Sequence, residues 1–331
     1  VTMCLLSLPS ILRAGYSPAL ATGTICATGT LGQIIPPSIA LVLLGDVIAS
    51  AYQRAQLEMG VVNTATVSVG DLFVGALIPG LILVGLYLVW ILLIARLKPQ
   101  YAPAITSKGA SITKLVRALL PPFLLIALVL GSILLGAATP TEAAGVGAVG
   151  ALLLALLRGQ MDWLKLHDIG LSTMRITSMV FLILIGAAVF TLVFRGFGGE
   201  ELVQGFFERM NLGPQGAMLL VMIVIFLLGF ILDFIEITFV VVPIVGPILL
   251  AMGFDPIWFG IMLAVNLQTS FLTPPFGFAL FYLRGVAPKT VTTGSIYKGV
   301  IPFVALQIGL LVLLWSFPDL VTWLPNALRS G

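Results

Sequence analysis

Charged residues are scarce in this sequence, and their scarcity decides its class. Lysine, arginine, aspartate and glutamate make up 9% of the 331 residues, against about 25% in soluble globular domains. Hydrophobic residues make up 60%, and the mean hydropathy is +1.17. This composition predicts an all-α polytopic membrane protein that lies in a lipid bilayer. The net charge of +3 is small and unevenly spread, so it gives no indication of a nucleic-acid partner.

Cysteine and histidine are almost absent as well. Cys4 and Cys26 both lie in apolar runs and form no spaced pair, so we expect structural thiols and no disulfide. The single histidine, His167, is expected in a charged loop, without the neighbours that a metal site needs. The sequence contains no ATP-binding P-loop motif. We therefore expect no enzyme, no cofactor and no ATP-driven step.

A repeat of shape-determining residues is the most informative pattern that the sequence does contain. Two segments match without a gap at an offset of 238 residues, and most of the shared residues are glycine or proline, which fix backbone conformation. The matched pairs are Gly15 and Gly253, Pro18 and Pro256, Pro36-Pro37 and Pro274-Pro275, and Pro9 and Pro247. Interrupted apolar segments at corresponding positions of two halves indicate the binding site of a transporter.

Apolar segments long enough to cross a membrane, about 20 residues, occur along the whole chain. Residues 1–14 are too short to cross. The segment 214–251 is too long for one crossing and is split near Asp233 and Glu236, which predicts a re-entrant helical hairpin with a polar tip held inside protein; one steeply tilted helix is the alternative. The predicted crossings are 18–52 and 256–284, both interrupted at the double prolines, and 71–96, 115–136, 140–157, 172–196 and 298–317.

Basic residues are unevenly distributed among the predicted loops. The loops 97–117 and 284–298, with Lys108 and Lys289 among their basic residues, and the loop that holds Arg158 are expected to be cytoplasmic. The loops 53–70 and 197–213 carry more acids and are expected outside. An odd number of crossings separates the two copies of the repeat, so the copies should be inverted in the membrane.

The two interrupted segments supply neutral oxygen atoms at membrane depth. Proline removes hydrogen-bond donors and glycine permits unwinding, so backbone carbonyls are left free beside threonine, serine and amide side chains. Such ligands favour a hard cation such as Na⁺; a kink that accommodates a neighbouring helix is the structural alternative. With Asp233 of the hairpin, the candidate ion-binding residues are Thr28, Gly29, Thr30, Gly32, Pro36, Asn266, Gln268, Thr269, Ser270 and Thr273.

Asp233 and Glu236 form an acidic pair deep inside an apolar element. Acids within a membrane are costly and mark functional sites. The alternative is a tip that reaches water or pairs with a basic residue such as Arg195. An intramembrane aspartyl protease could be suggested from Asp46 and Asp233, but two distant carboxylates do not imply a dyad that shares a proton.

Three ordered motifs resemble the large membrane subunit of TRAP transporters, the tripartite ATP-independent periplasmic carriers. They are TLGQIIPPS at 30–38, TPTEAA at 139–144, and GFDPIWFG at 253–260 leading to LTPP at 272–275. The resemblance covers the whole chain. It implies a multi-pass protein of the bacterial inner membrane with an inverted-repeat elevator fold, in which a transport domain slides against a scaffold.

The resemblance also implies Na⁺-driven import of an organic acid. A periplasmic solute-binding protein would deliver the solute, and a small membrane subunit would complete the transporter. The ion site is implied at the two breaks and around Asp233. The residues expected to contact the solute are Gln33, Pro37, Ser38, Glu236, Pro274 and Pro275. A single-component ion-coupled anion transporter, a channel and an intramembrane hydrolase are the alternatives.

The repeat also predicts how the chain is divided. First-repeat transport elements are expected in 1–52, scaffold and connecting helices in 53–213, the second-repeat hairpin and interrupted helix in 214–290, and a C-terminal transmembrane helix in 291–331. At the offset of 238, the counterpart of the second hairpin's tip falls just before Val1. We therefore expect the first hairpin to begin upstream, and residues 1–331 alone to be inserted but inactive.

Overall fold

A computed structural model describes residues 2–61, 63–104, 112–288 and 290–330, and every regular element in these ranges is a helix. Lys108 and Lys289, which we assigned to cytoplasmic loops, lie outside them. The helices are α1 (Thr2–Arg13), α2 (Pro18–Thr30), α3 (Ile39–Glu58), α4 (Val69–Leu97), α5 (Ile112–Leu134), α6 (Pro140–Leu157), α7 (Trp163–Gly196), α8 (Gly199–Met210), α9 (Gly213–Leu228), α10 (Phe234–Glu236), α11 (Val242–Ala251), α12 (Pro256–Leu272), α13 (Phe278–Val286), α14 (Thr293–Ser316) and α15 (Asp319–Ser330).

Six helices within the described residues are long and apolar enough to cross a membrane. They are α4, α5, α6, α7, α14 and the continuous helix Phe234–Ala251, in which a π-helical turn, Ile237–Val241, joins α10 to α11. The apolar helices α9 and α12, of 16 and 17 residues, are shorter. A polytopic all-α membrane protein is therefore confirmed.

The predicted position of His167 in a loop is wrong. Helix α7 begins at Trp163, nine residues before the predicted crossing, so Lys165 and His167 are both helical. The Asp162 carboxylate accepts a 2.8 Å hydrogen bond from the Lys165 backbone N–H and so caps the first turn. This hydrogen bond lowers the pKa of the Asp162 carboxyl. The charged residues before 172 therefore do not form a loop, because the cap at Asp162 starts α7 within this polar stretch.

The two copies of the repeat have the same local structure. Gly15 and Gly253 both have positive φ angles, +87° and +96°, where side chains are disfavoured. The next helix in each copy has a capping side chain, Ser17 or Asp255, followed by proline at its first position. Each copy therefore turns and restarts in the same way.

Both predicted interruptions are confirmed. Helix α2 ends at Thr30 and continues as a short 3₁₀ turn, Leu31–Gln33, before α3 starts. In the second copy α12 ends at Leu272 and α13 starts at Phe278. The Pro36-Pro37 and Pro274-Pro275 peptide bonds are cis in both breaks.

The segment 214–251 is split where the sequence predicted it. Helix α9 ends at Leu228, and the chain turns before Asp233, which caps α10. Helices α9 and α11 lie in contact, so the segment is a helical hairpin. Whether it re-enters the membrane from one side stays a prediction.

Helix α8 and its neighbours form a cluster of ion pairs. The Glu200 carboxylate contacts Arg54 on α3, and its Oε1 lies 2.7 Å from Nε of Arg195. Arg195 was considered as a partner for the hairpin acids, and that alternative is wrong because Glu200 holds it. Burial, and secondarily the nearby charge of Glu200, raises the pKa of Glu58 at the end of α3. The cluster joins α3, α7 and α8.

Helices of one copy pack against helices of the other copy, and these contacts occur in both directions. The second copy's α11 packs against α3 of the first copy, while α1 of the first copy packs against α13 of the second. In the same way α2 packs against α14, and α12 packs against α4. Reciprocal contacts of this kind are those of two similar units related by an approximate two-fold axis.

The chain forms two compact units. One contains Val1–Ile105 and Val193–Gly331, and so holds both copies of the repeat; the other contains Thr106–Leu192. In the second unit α5 packs against α6, where Gly147 and Gly150 lie close to Val129 and Leu125. The predicted division into transport and scaffold parts concerns motion and stays a prediction.

Gly23 and Gly299 lie at a close contact between α2 and α14, and this contact yields a stability prediction. A methyl group on Gly23 would overlap the backbone carbonyl of Gly299. We expect Gly23→Ala to lower the free energy of unfolding by about 1–3 kcal/mol through overpacking. The matched control is Gly85→Ala in α4, where an added methyl group meets no heavy atom within 4 Å. Thermal unfolding in detergent would measure both, and equal melting temperatures would contradict the close packing.

Candidate functional site

A hydrogen bond between two side chains joins the two interrupted helices. Nε2 of Gln268 on α12 donates a long hydrogen bond of 3.4 Å to Oγ1 of Thr30 on α2. These residues are 238 positions apart, the offset of the repeat. A residue can contact its own counterpart only near the axis that relates two copies, so this pair marks the approximate two-fold axis. Both side chains are buried.

A cavity of about 400 Å³ lies beside this pair. Its polar wall contains Gly29, Thr30 and Gln33 from the first break and Asp233 from the hairpin. Its apolar wall contains Phe271 of α12 and residues of α1 and α13. The structure therefore brings four of the predicted site residues together at one cavity.

Among the described residues that line this cavity, Asp233 is the one acid. Its Oδ1 accepts a 2.7 Å hydrogen bond from the Phe234 N–H, while Oε2 of Glu236 accepts a 3.0 Å bond from the Asp233 N–H. This reciprocal arrangement is a capping box. No salt bridge to Asp233 occurs in the described part of the chain, and Asp233 is exposed. The hairpin tip therefore presents an unpaired carboxylate to the cavity.

Several buried oxygen atoms near the breaks have no hydrogen-bond partner among the described residues. Oε1 of Gln33, which lines the cavity, and Oε1 of Gln268 are both in this state. Oγ1 of Thr238 is a third, in the π-helical turn that packs against α3 and α9. A buried unpaired acceptor costs about 1–3 kcal/mol, so these atoms are suited to water or a cation.

Two predicted ion ligands, Asn266 and Ser270, form hydrogen bonds to the hairpin. Nδ2 of Asn266 donates to the Met222 carbonyl at 2.8 Å, and Oγ of Ser270 donates to the Phe226 carbonyl at 2.7 Å. Both bonds join α12 to α9, one helical turn apart. Ser270 also lies so close to Gly229 that a side chain there would overlap it. The amide and hydroxyl thus fix the hairpin against the interrupted helix.

Other predicted residues bond locally or lie away from the cavity. The hydroxyls of Thr28, Thr269 and Thr273 each donate to a carbonyl four residues earlier in the chain. Ser38 donates to the Gln33 carbonyl at 2.7 Å and caps α3. The remaining predicted residues that do not line the cavity are Gly32, Pro36, Pro37, Glu236, Gln268, Pro274 and Pro275.

The apolar wall of the cavity was not foreseen. Cys4, Phe278 and Tyr282 line it, and they come from α1 and α13. No local pattern marks them, because they reach the cavity only through the exchange of partners between the copies. The repeat offset was the usable signal, since it predicts that the two copies pack on each other.

The chain matches the family described as the tripartite ATP-independent periplasmic transporter, DctM component, over residues 1–320. The chain belongs to this family. The resemblance drawn from the three motifs is therefore confirmed over nearly the whole sequence.

Relatives of the DctM family extend the comparison. The C4-dicarboxylate TRAP transporter large permease protein of Pseudomonas aeruginosa is 30% identical over 322 residues, which are 97% of this chain and 71% of the relative. The sialic acid TRAP transporter permease protein SiaT of Haemophilus influenzae is 27% identical over 98% of this chain and 49% of its own length. The 2,3-diketo-L-gulonate large permease protein YiaN of Escherichia coli is 27% identical over 96% and 70%.

The Thr30–Gln268 pair gives a prediction for this DctM-family site. Thr30→Val should lower the free energy of unfolding by about 1–3 kcal/mol, because the buried Gln268 amide loses its one observed partner. Thr28→Val is the matched control, since that hydroxyl bonds only within α2.

Adding Gln268→Leu to Thr30→Val should recover part of the lost stability, because replacing both partners by apolar groups removes the unpaired amide. Thermal unfolding of the three variants measures this. A double variant less stable than Thr30→Val alone would show that Gln268 has another essential contact.

Proposed function

We propose that this chain is the permease subunit of a Na⁺-coupled secondary transporter that imports a carboxylate-bearing organic solute. Membership of the DctM family supports transport, and the names of the relatives, which include C4-dicarboxylate and sialic acid permeases, support an organic acid. The observation that carries the proposal is the cavity at which the first break and the hairpin tip meet.

The charge of the cavity supports coupling between ion and solute. Among the described residues that line it, none is lysine, arginine or histidine, and the one charged residue is Asp233. An anionic solute there would be repelled unless a cation were bound as well. A cation placed between the carboxylates of Asp233 and the solute is attracted to both. Solute affinity should therefore depend on the ion.

The ligand chemistry supports Na⁺ as that ion. Oxygen atoms of Thr30, Gln33 and Asp233 and the carbonyls at the end of α2 are hard ligands. The negative end of the α2 helix dipole lies at the same place. No group of three or more histidine, cysteine, aspartate or glutamate residues that could hold a metal ion occurs in the described ranges. The ion-binding role of the other predicted residues stays a prediction.

The proposal includes partners and a location. A small membrane subunit and a periplasmic solute-binding protein would complete the transporter, in the inner membrane of a bacterium. The chain itself would act as a carrier and not as an enzyme. A single-component ion-coupled anion transporter is the second candidate. It is distinguished by uptake in proteoliposomes that lack the binding protein: equal uptake with and without that protein would favour it.

The ion dependence can be tested at Asp233. We expect Asp233→Asn to raise the Na⁺ concentration for half-maximal uptake by at least about tenfold, equivalent to 1.4 kcal/mol of lost ion affinity. Proteoliposomes with the full-length permease, the small subunit and the binding protein would be titrated with Na⁺ at constant ionic strength. Glu208→Gln, which removes an exposed acid on α8, is the control. An unchanged Na⁺ requirement in Asp233→Asn would exclude this carboxylate from the ion site.

The orientation in the membrane gives a separate prediction. Gln100 and Gln204 are both exposed, and α5, α6 and α7 separate them. In a background without native cysteines, Gln204→Cys should react with an impermeant maleimide on intact cells, and Gln100→Cys should react only after the membrane is opened. The reverse pattern would overturn the orientation. Reaction of both variants on intact cells would contradict the prediction that α5, α6 and α7 each cross the membrane between these two positions.

A further inference from the structure

The two cysteines of the chain line the same cavity. Cys4 lies on α1 and Cys26 on α2, and both contribute to the wall of the 400 Å³ cavity that also contains Thr30 and Asp233. Both are free, with exposed fractions of 3% and 4%. The sequence contains two cysteines in total. All of its thiol chemistry is therefore concentrated at one place, beside the proposed ion and solute site.

The two thiols line the cavity from different helices. Helices α1 and α2 are in contact, and the cavity lies along their shared edge. The Cys26 thiol makes one weak contact, with Sγ 3.8 Å from the Ala279 carbonyl oxygen. No polar partner of Cys4 is observed in the described structure. Neither thiol is held by strong hydrogen bonds, so both can turn towards a ligand in the cavity.

We propose that Cys4 and Cys26 form a dithiol site in the cavity wall, which binds a soft, thiophilic ligand across α1 and α2. Sulfur ligands select soft centres over the hard cations that oxygen ligands prefer. A trivalent arsenical is a suitable ligand, because its arsenic takes two thiols. When phenylarsine oxide reacts with two thiols, its As=O bond and both S–H bonds break, and two As–S bonds form. The oxygen leaves with the two protons as water. Arsenic stays trivalent, so no oxidant or reductant is required.

Occupation of this dithiol site has a mechanical consequence. A bridge between α1 and α2 would fix the two helices against each other and would fill part of the cavity. If the cavity is the transport site, as proposed above, the arsenical should inhibit uptake. Binding itself does not depend on transport, so the dithiol site and the proposed function can fail separately.

The experiment measures phenylarsine oxide on the purified chain by intact-mass spectrometry. We expect one phenylarsenic group per chain. The dithiol 2,3-dimercaptopropanol should remove this group, and a monothiol at the same concentration should not. Cys4→Ser and Cys26→Ser are the matched variants. Each leaves one thiol, so each should bind the arsenical at least about tenfold more weakly, because the second bond is lost. Elution in size-exclusion chromatography checks that both variants are folded.

Three results would overturn the dithiol site. One is the absence of arsenical on the wild-type chain under conditions in which a small-molecule dithiol is modified. Another is retention by either single variant with wild-type affinity, since one thiol would then suffice. The third is a modified protein that elutes as a dimer, because the arsenical would then join two chains.

Discussion

The two helix breaks require hydrogen-bond partners for their backbone polar groups, and the site is built around these breaks. A double proline removes two hydrogen-bond donors from each break, and unpaired backbone groups are costly where water is excluded. Side chains supply hydrogen bonds at and beside these breaks. Ser38 donates to the Gln33 carbonyl in the first break, and the Thr273 hydroxyl at the second break donates to the Thr269 carbonyl. Asn266 and Ser270 donate to carbonyls of the neighbouring helix α9 and so hold the hairpin beside the second break. The polar residues that look like ligands in the sequence are in part the supports that make the breaks possible.

The two copies carry different side chains at equivalent positions near the axis. Thr30 and Gln268 occupy equivalent positions and meet near the axis, but one is short and the other long. The long amide reaches across and uses its nitrogen, which leaves Oε1 unpaired. At the positions equivalent to Asn266 and Ser270, the first copy has Thr28 and Gly32, and neither donates to a neighbouring helix. Within the described residues, the hydrogen bonds from α12 to the hairpin therefore have no equivalent at Thr28 and Gly32.

The sequence predicted the features that glycine and proline encode locally. The positions of both breaks, the split of the hairpin near Asp233 and the lengths of most crossings follow from residues that restrict the backbone. The cavity did not follow in the same way. Cys4, Phe278 and Tyr282 reach it through long-range packing, which no local pattern contains. His167 was misplaced because a single capping acid, Asp162, extends α7 into a polar stretch. Side-chain chemistry alone did not predict that Ser270 bonds the hairpin through the Phe226 carbonyl, because that contact is long-range.

The cavity wall is formed by several helices and by the hairpin tip, which carries Asp233. Its polar residues come from α2 and the turn after it, and its apolar residues come from α1, α2, α12 and α13. Among the described lining residues, the one charge comes from the hairpin tip. Asp233 is held by its own capping box and by no ion pair within the described residues, so the tip is not bonded to α2 through its charge. Displacement of the tip would take the carboxylate out of the cavity and would lower its attraction for a cation. A ligand that bridges Asp233 and Gln33 would, for the same reason, hold the tip against the break. If a cation binds there, as proposed, its occupancy and the position of the tip would be coupled by electrostatics, because a bound cation favours the arrangement in which Asp233 contributes to the cavity.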